Sequence, residues 1–242
     1  MKHLKVLSLI LVFAFLFSLC GCLNEDMPYA EDNKTQSSSE VSSVESASTP
    51  EITSLDNKMS KYFDISLFDE ENYADIYLGK KFDINAVFEN SYFSVPTDMN
   101  VISKNGWQLV EGSDYHENSL VFAKETVELQ FKNENGAVIT AWFYNSSNSS
   151  VRLSKCSIVK FRINNNYPNE NYDEFNVCGI TNVSVLTDII QTLGTPSHFY
   201  EKTENSYYFD YFLEKRDRRN KIRIYVDLEN DAVTAVEFSK YK

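Results

Sequence analysis

From Lys61 to Lys242 the chain is a succession of short runs in which apolar and polar residues alternate, each broken by turn residues. A period of two sends successive side chains to opposite faces of a strand, so these 182 residues are committed to sheet with one face buried. Helical spacing is convincing at two places only, which makes the expected class α+β. In the second, Ser184 can cap a helix whose Leu186, Ile189, Ile190 and Leu193 share a face, and Gly194 and Pro196 supply the stop. In the first, Thr97 can cap a stretch carrying Met99, Val101 and Ile102, which Gly106 ends before Trp107.

Strands follow each helix, and Leu129 to Phe143 can be laid on Ile224 to Phe238 without a gap at an offset of 95 residues. Glu134 and Glu229, Asn135 and Asn230, Ala137 and Ala232, Val138 and Val233, and Phe143 and Phe238 are identical. Asn135-Gly136 and Asn230-Asp231 both tolerate the positive φ angles of a two-residue hairpin loop. The pattern predicts two half-repeats, residues 61–163 and 164–242, each a short helix on an antiparallel sheet of about three to four strands. The competing reading is two ordinary hairpins that look alike. Alternation places Ala137, Ile139, Ala141 and Phe143, with Ala232, Thr234, Val236 and Phe238, on an inward face. The opposite face carries Val138, Thr140, Trp142 and Tyr144 in one hairpin but Val233, Ala235, Glu237 and Ser239 in the other. Trp142 and Tyr144 are therefore a candidate binding face, unless they pack under the segment from Tyr62 to Phe88.

The N-terminus is of another kind. Lys2 and Lys5 precede an uncharged run from Val6 to Leu19, the basic and apolar regions of a secretory signal. The run ends in Leu19-Cys20-Gly21-Cys22, where a small residue precedes Cys22 and a large one precedes Cys20. This resembles the lipobox of bacterial lipoproteins, with residues 1–21 as signal peptide and Cys22 as the lipidated residue. Two acyl chains suffice for stable anchoring, so the expected location is the cell membrane, lipid-anchored, on its extracytoplasmic side. Loss of residues 1–21 removes two lysines and no acid from a net charge of −12 and leaves −14. Residues 22–60 are rich in Ser, hold eight acids against Lys34 and Lys58, and read as a disordered tether of roughly 35 Å r.m.s. span.

The run Gly179-Ile180-Thr181, Ser184, Asp188-Ile189-Ile190 and Leu193-Gly194-Thr195-Pro196, followed by three strands, carries a resemblance. It is similar to the small helix-plus-sheet domain shared by β-lactamase-inhibitory-protein-like folds and by the small lipoprotein of the outer-membrane assembly machinery. The likeness covers Gly179 to Lys242, and Val95 to Asn145 through the repeat. It implies a non-catalytic protein-binding module. The tether followed by two such halves also resembles surface lipoproteins of Gram-positive bacteria, which have no outer membrane to assemble. No inhibitory-loop residue matches by position, so none is carried over.

Chemistry-bearing constellations are sparse. Cys156 and Cys178 can pair in an oxidising compartment, closing a loop worth about 3 kcal/mol, or can be two small apolar side chains in neighbouring strands. No C-x-x-C pair joins His116 or His198, so no metal or other cofactor is expected. There is no G-x-S-x-G elbow and no phosphate loop, and a Cys178–His198 dyad lacks a visible activating group. The acids Asp69 and Glu70, like Glu229 and Asp231, read as solvated turns. The acidic balance disfavours nucleic acid. The strand from Tyr207 to Phe212 carries aromatics on both faces and reads as core. Lys215, Arg216, Arg218, Arg219, Lys221 and Arg223 cluster in the hairpin between Leu213 and Ile222, either as a solvated turn or as a basic tip for an anionic partner. The expected function is non-enzymatic binding of an envelope or secreted protein, with no small-molecule substrate evident. The alternatives are inhibition of an extracellular hydrolase, or binding of anionic lipid or cell-wall polymer through the basic tip.

Overall fold

The computed structural model describes residues 58–166 and 173–241. The expected signal peptide, Cys22 and nearly all of the expected tether lie outside the described residues. In chain order the elements are β1 (Asn85–Phe88), β2 (Ser91–Ser94), α1 (Asn100–Lys104), β3 (Gln108–Leu109), β4 (Leu120–Val121), β5 (Thr126–Lys132) and β6 (Val138–Tyr144). They continue as β7 (Val151–Arg152), β8 (Ser157–Asn164), β9 (Phe175–Val177), β10 (Ile180–Thr181) and α2 (Leu186–Leu193). Last come β11 (His198–Thr203), β12 (Ser206–Phe212), β13 (Lys221–Asp227) and β14 (Ala232–Ser239).

An eight-stranded antiparallel sheet in the order β11-β12-β13-β14-β8-β6-β5-β3 dominates the described residues. A smaller sheet, β10-β9-β1-β2, and the pair β4-β7 complete the strands. The class is α+β, weighted toward β. Strand β13 shows why: in Lys-Ile-Arg-Ile-Tyr-Val-Asp the β-branched Ile222, Ile224 and Val226 are buried, and Lys221, Arg223 and Tyr225 stand on the other face half-covered. The buried faces of β5, β6, β8 and β11 to β14 meet a second layer that includes Phe63, Phe88, Phe93, Ile102, Trp107, Leu186 and Ile189. Ring contacts fix that junction, with Phe93 5.0 Å from Phe161 and Phe63 edge-on to Phe209 at 6.2 Å.

Of the eight strands between α1 and α2, four enter the large sheet in the order β3-β5-β6-β8, while the four that follow α2 enter it as β11-β12-β13-β14. Their last strands, β8 and β14, pair at the middle of the sheet. The hairpins matched at an offset of 95 are β5-β6 and β13-β14, the second and third strands of one run against the third and fourth of the other. The offset thus marks two hairpins of like chemistry in unlike places.

Several local expectations are corrected. Thr97 exchanges backbone hydrogen bonds with Ile158, and Asp98 accepts from the Asn100 N–H at the start of α1. Ser184 accepts from the Thr181 N–H, while Asp188 accepts from the Val185 N–H and so holds the first turn of α2. Thr234 is an extra residue in β14, because Tyr225 faces Ala235 while Val226 faces Val233. The bulge turns Val233 inward in place of Ala232 and leaves Thr234 exposed. The core also begins earlier than the tether boundary at residue 60, since Met59 is fully buried and Lys58 donates to the Glu204 carbonyl. The segment after it covers the β11 edge: Phe63 packs 5.6 Å from Phe199, and Tyr73 bridges His198.

Candidate functional site

The face of the large sheet that points away from the second layer is where the chemistry gathers. Strand register places Thr140, Arg162, Glu237, Arg223, Asp210 and His198 side by side across six strands. Trp142, Lys160, Ser239, Lys221 and Phe212 form a flanking row. Tyr225, Tyr208 and Tyr200 lie on the other flank.

Asp210 is the pivot of the central row. Its carboxylate is almost wholly covered, and it accepts from Arg223 at 2.6 and 2.7 Å and from Lys221 at 2.9 Å. Burial pushes its pKa upward, but the hydrogen bonds from Arg223, the nearby His198 ring and the Lys221 charge outweigh that and hold it well below the usual carboxylate range. His198 stacks on Tyr73 at 4.0 Å, and its Nδ1 lies 3.7 Å from the Asp210 carboxylate, too far for a hydrogen bond. Among the described residues that Nδ1 is a buried side-chain polar atom without a hydrogen-bond partner. Glu237 is a second shared carboxylate, taking Lys160 at 3.5 Å, Arg162 at 3.3 Å and the Tyr225 hydroxyl at 3.0 Å.

Aromatic rings support the cations. Lys160 sits 3.4 Å over Trp142, Arg223 3.8 Å over Tyr208, and Arg162 4.7 Å over Tyr225. Trp142 and Tyr144 both lie on this face and are half-buried. Trp142 is roofed by Lys160, and Tyr144 meets Tyr241 at 5.7 Å. Tyr200 is 50% exposed at the sheet margin.

The six cations of the expected basic tip divide into two groups. Lys221 and Arg223 belong to the sheet and the Asp210 cluster, not to the turn. Lys215, Arg216, Arg218 and Arg219 occupy the turn, which is pinned: Ser239 donates to the Arg219 carbonyl, and the Tyr241 N–H to Asn220. Lys215 pairs with Asp75 at 2.9 Å, Arg219 pairs with Asp217 at 2.8 Å, and Arg218 lies 4.0 Å over Tyr73. Turn and sheet enclose an open cleft of about 550 Å³, floored by Lys160, Lys221, Arg223 and Glu237 and walled by Ser239 and Tyr241. A second hollow, lined by Tyr73, Asp75 and Phe212, opens on the other side of Lys215 and Arg218.

The two cysteines are not bonded to each other. Cys156 ends the 3-10 turn Leu153–Lys155 before β8, and Cys178 occupies the β9-β10 turn with its thiol toward the Asn85 carbonyl at 3.5 Å. Burial pushes both thiols up, the opposite of what a nucleophile needs. Cys178 lies in the small sheet and His198 in the large one. No group of three or more His, Cys, Asp or Glu among the described residues could hold a metal ion.

The sequence does not single out Asp210 or Glu237: Asp210 stands inside an aromatic run that reads as core, and Glu237 appears only as a difference between the two hairpins. A lone carboxylate within a strand of five aromatics, near Lys221 and Arg223 on the next strand, was the available signal. Comparison of the chain with protein-family models, with curated proteins and with solved structures yields no match.

Proposed function

We propose that the chain is a lipid-anchored, extracytoplasmic, non-enzymatic binding module whose open sheet face engages another envelope or secreted protein. The observation that carries the reading is that face: half-covered aromatic rings, each braced by a cation, on rigid strands. Rings held by neighbours lose little conformational freedom on docking, which favours them as anchors. The lipobox-like Leu19-Cys20-Gly21-Cys22 supports the anchor at Cys22.

The test is affinity capture from solubilised envelope and culture medium, with the full chain beside a folded Trp142→Ala, Tyr200→Ala variant. One stoichiometric protein retained by the parent and lost by the variant is expected. Equal retention by both would refute the assignment of the face, and a hydrolase silenced by the captured complex would identify the inhibitor form of the same reading.

A further inference from the structure

We propose that the cleft between the β12-β13 turn and the sheet face is a binding site for phosphate or phosphodiester groups, independent of any protein docked on the tyrosine flank. The argument starts from charge. Asp210 serves both Arg223 and Lys221, and Glu237 serves both Lys160 and Arg162, so each carboxylate leaves one positive charge unmatched. At the turn, Arg216 and Arg218 pair with no carboxylate among the described residues, whereas Lys215 and Arg219 do. Arg162 lies outside the cleft, so the seven cations that line it meet four carboxylates, and a surplus of three positive charges gathers there in a chain whose net charge is −12.

Such a gathering is costly unless something relieves it. Lys160, Lys221 and Arg223 expose only 23%, 20% and 21% of their side chains, so water screens them poorly and their mutual repulsion is stronger than at an open surface. Burial lowers the Lys221 ammonium, and Asp210 compensates that only in part. The cleft is nevertheless kept: the backbone of the turn is tied to Ser239 and Tyr241, and Arg218 is laid on Tyr73. A fixed, half-sheltered surplus of positive charge focuses the field and selects an anion with more than one charge or a chain of them. Guanidinium forks match phosphate oxygens in pairs, which a lone lysine cluster does not.

Trp142 supplies a readout. Its ring is roofed by Lys160, so a phosphate that draws the ammonium into the cleft changes its emission, whereas Trp107 is buried with its indole N–H on Ser91. The full chain in mild detergent is titrated with inorganic phosphate, pyrophosphate and glycerophosphoglycerol at about 0.15 M salt, with sodium chloride at matched ionic strength as control. A saturable change in Trp142 emission, mirrored by calorimetry, is expected for at least one probe and weakened about tenfold or more in Arg216→Gln, Arg218→Gln. Both arginines are exposed, so this variant keeps its fold, and Lys104→Gln on α1 should bind as the parent does. Preference for pyrophosphate would identify a free phosphate ligand, and preference for glycerophosphoglycerol a headgroup or polymer diester. No saturable response to any probe, or unchanged affinity in the double arginine variant, would overturn the proposal.

Discussion

Replacing Asp210 by Asn tests the reasoning about the sheet face most directly. The carboxylate is about 2% exposed and holds Arg223 at 2.6 Å and Lys221 at 2.9 Å. Removing one partner of a buried charge network costs about 3–5 kcal/mol, because the remaining charges are stranded away from water. Here both cations keep about a fifth of their side chains exposed and can turn partly outward, so the lower figure, about 3 kcal/mol, applies. For a folded unit of this size that is a fall in melting temperature of about 6–12 °C, measurable by circular dichroism. The triple replacement Asp210→Leu, Lys221→Met, Arg223→Met removes the network as a whole and should come within about 1–2 kcal/mol of the parent. Acid adds a second check. Because the native carboxyl titrates below its unfolded value, its contribution is fully present above about pH 4 and is lost only as pH falls toward the native pKa. A loss under about 1 kcal/mol for Asp210→Asn, or a triple variant as unstable as the single one, would refute the account of a shared, buried carboxylate.

Tyr207 is pushed up to about 12, first by burial and then by the hydroxyl it donates to Glu201, so stability should fall between pH 10 and 12 as the unfolded tyrosine ionises alone. Tyr207→Phe should lessen that fall, to which Tyr211, Tyr225 and other covered tyrosines also contribute, at a cost of about 1 kcal/mol near neutrality, and an unchanged alkaline slope in urea titrations at several pH values would contradict it. Gly179→Ala should cost about 1–3 kcal/mol, since φ is +92° and the added methyl meets Thr192 at 3.0 Å; a neutral effect on the denaturation midpoint would refute this. Cys156 and Cys178 should alkylate slowly until the chain is unfolded, and a disulfide-linked peptide joining them in mass spectrometry would count against the structure.

Elements that depend on neighbours in sequence were legible without the structure. The alternation of β13 and the apolar face and glycine stop of α2 arise from local periodicity and backbone preference, and they stand close to where the sequence puts them; the β5-β6 turn falls at Asn135-Gly136 but is longer than the expected two-residue loop, with positive φ at Gly136 and not at Asn135. Trp142 and Tyr144 could be assigned to one strand face by counting residues, but what roofs them could not, because Lys160 and Tyr241 arrive from distant strands. One inserted residue, Thr234, defeated the same counting in β14, since a bulge leaves no mark in hydropathy. The six basic residues read as one tip, yet pairing to β12 and β14 drew Lys221 and Arg223 into the sheet, while Lys215, Arg216, Arg218 and Arg219 stayed at the rim. The sequence alone determined an acidic chain with an apolar N-terminal run and a sheet-forming body, because composition and period act residue by residue. Only the tertiary structure decided that Asp210 and Glu237 would each be shared between two cations and that a cleft would form beside them, because charge sharing depends on register between strands far apart in the chain.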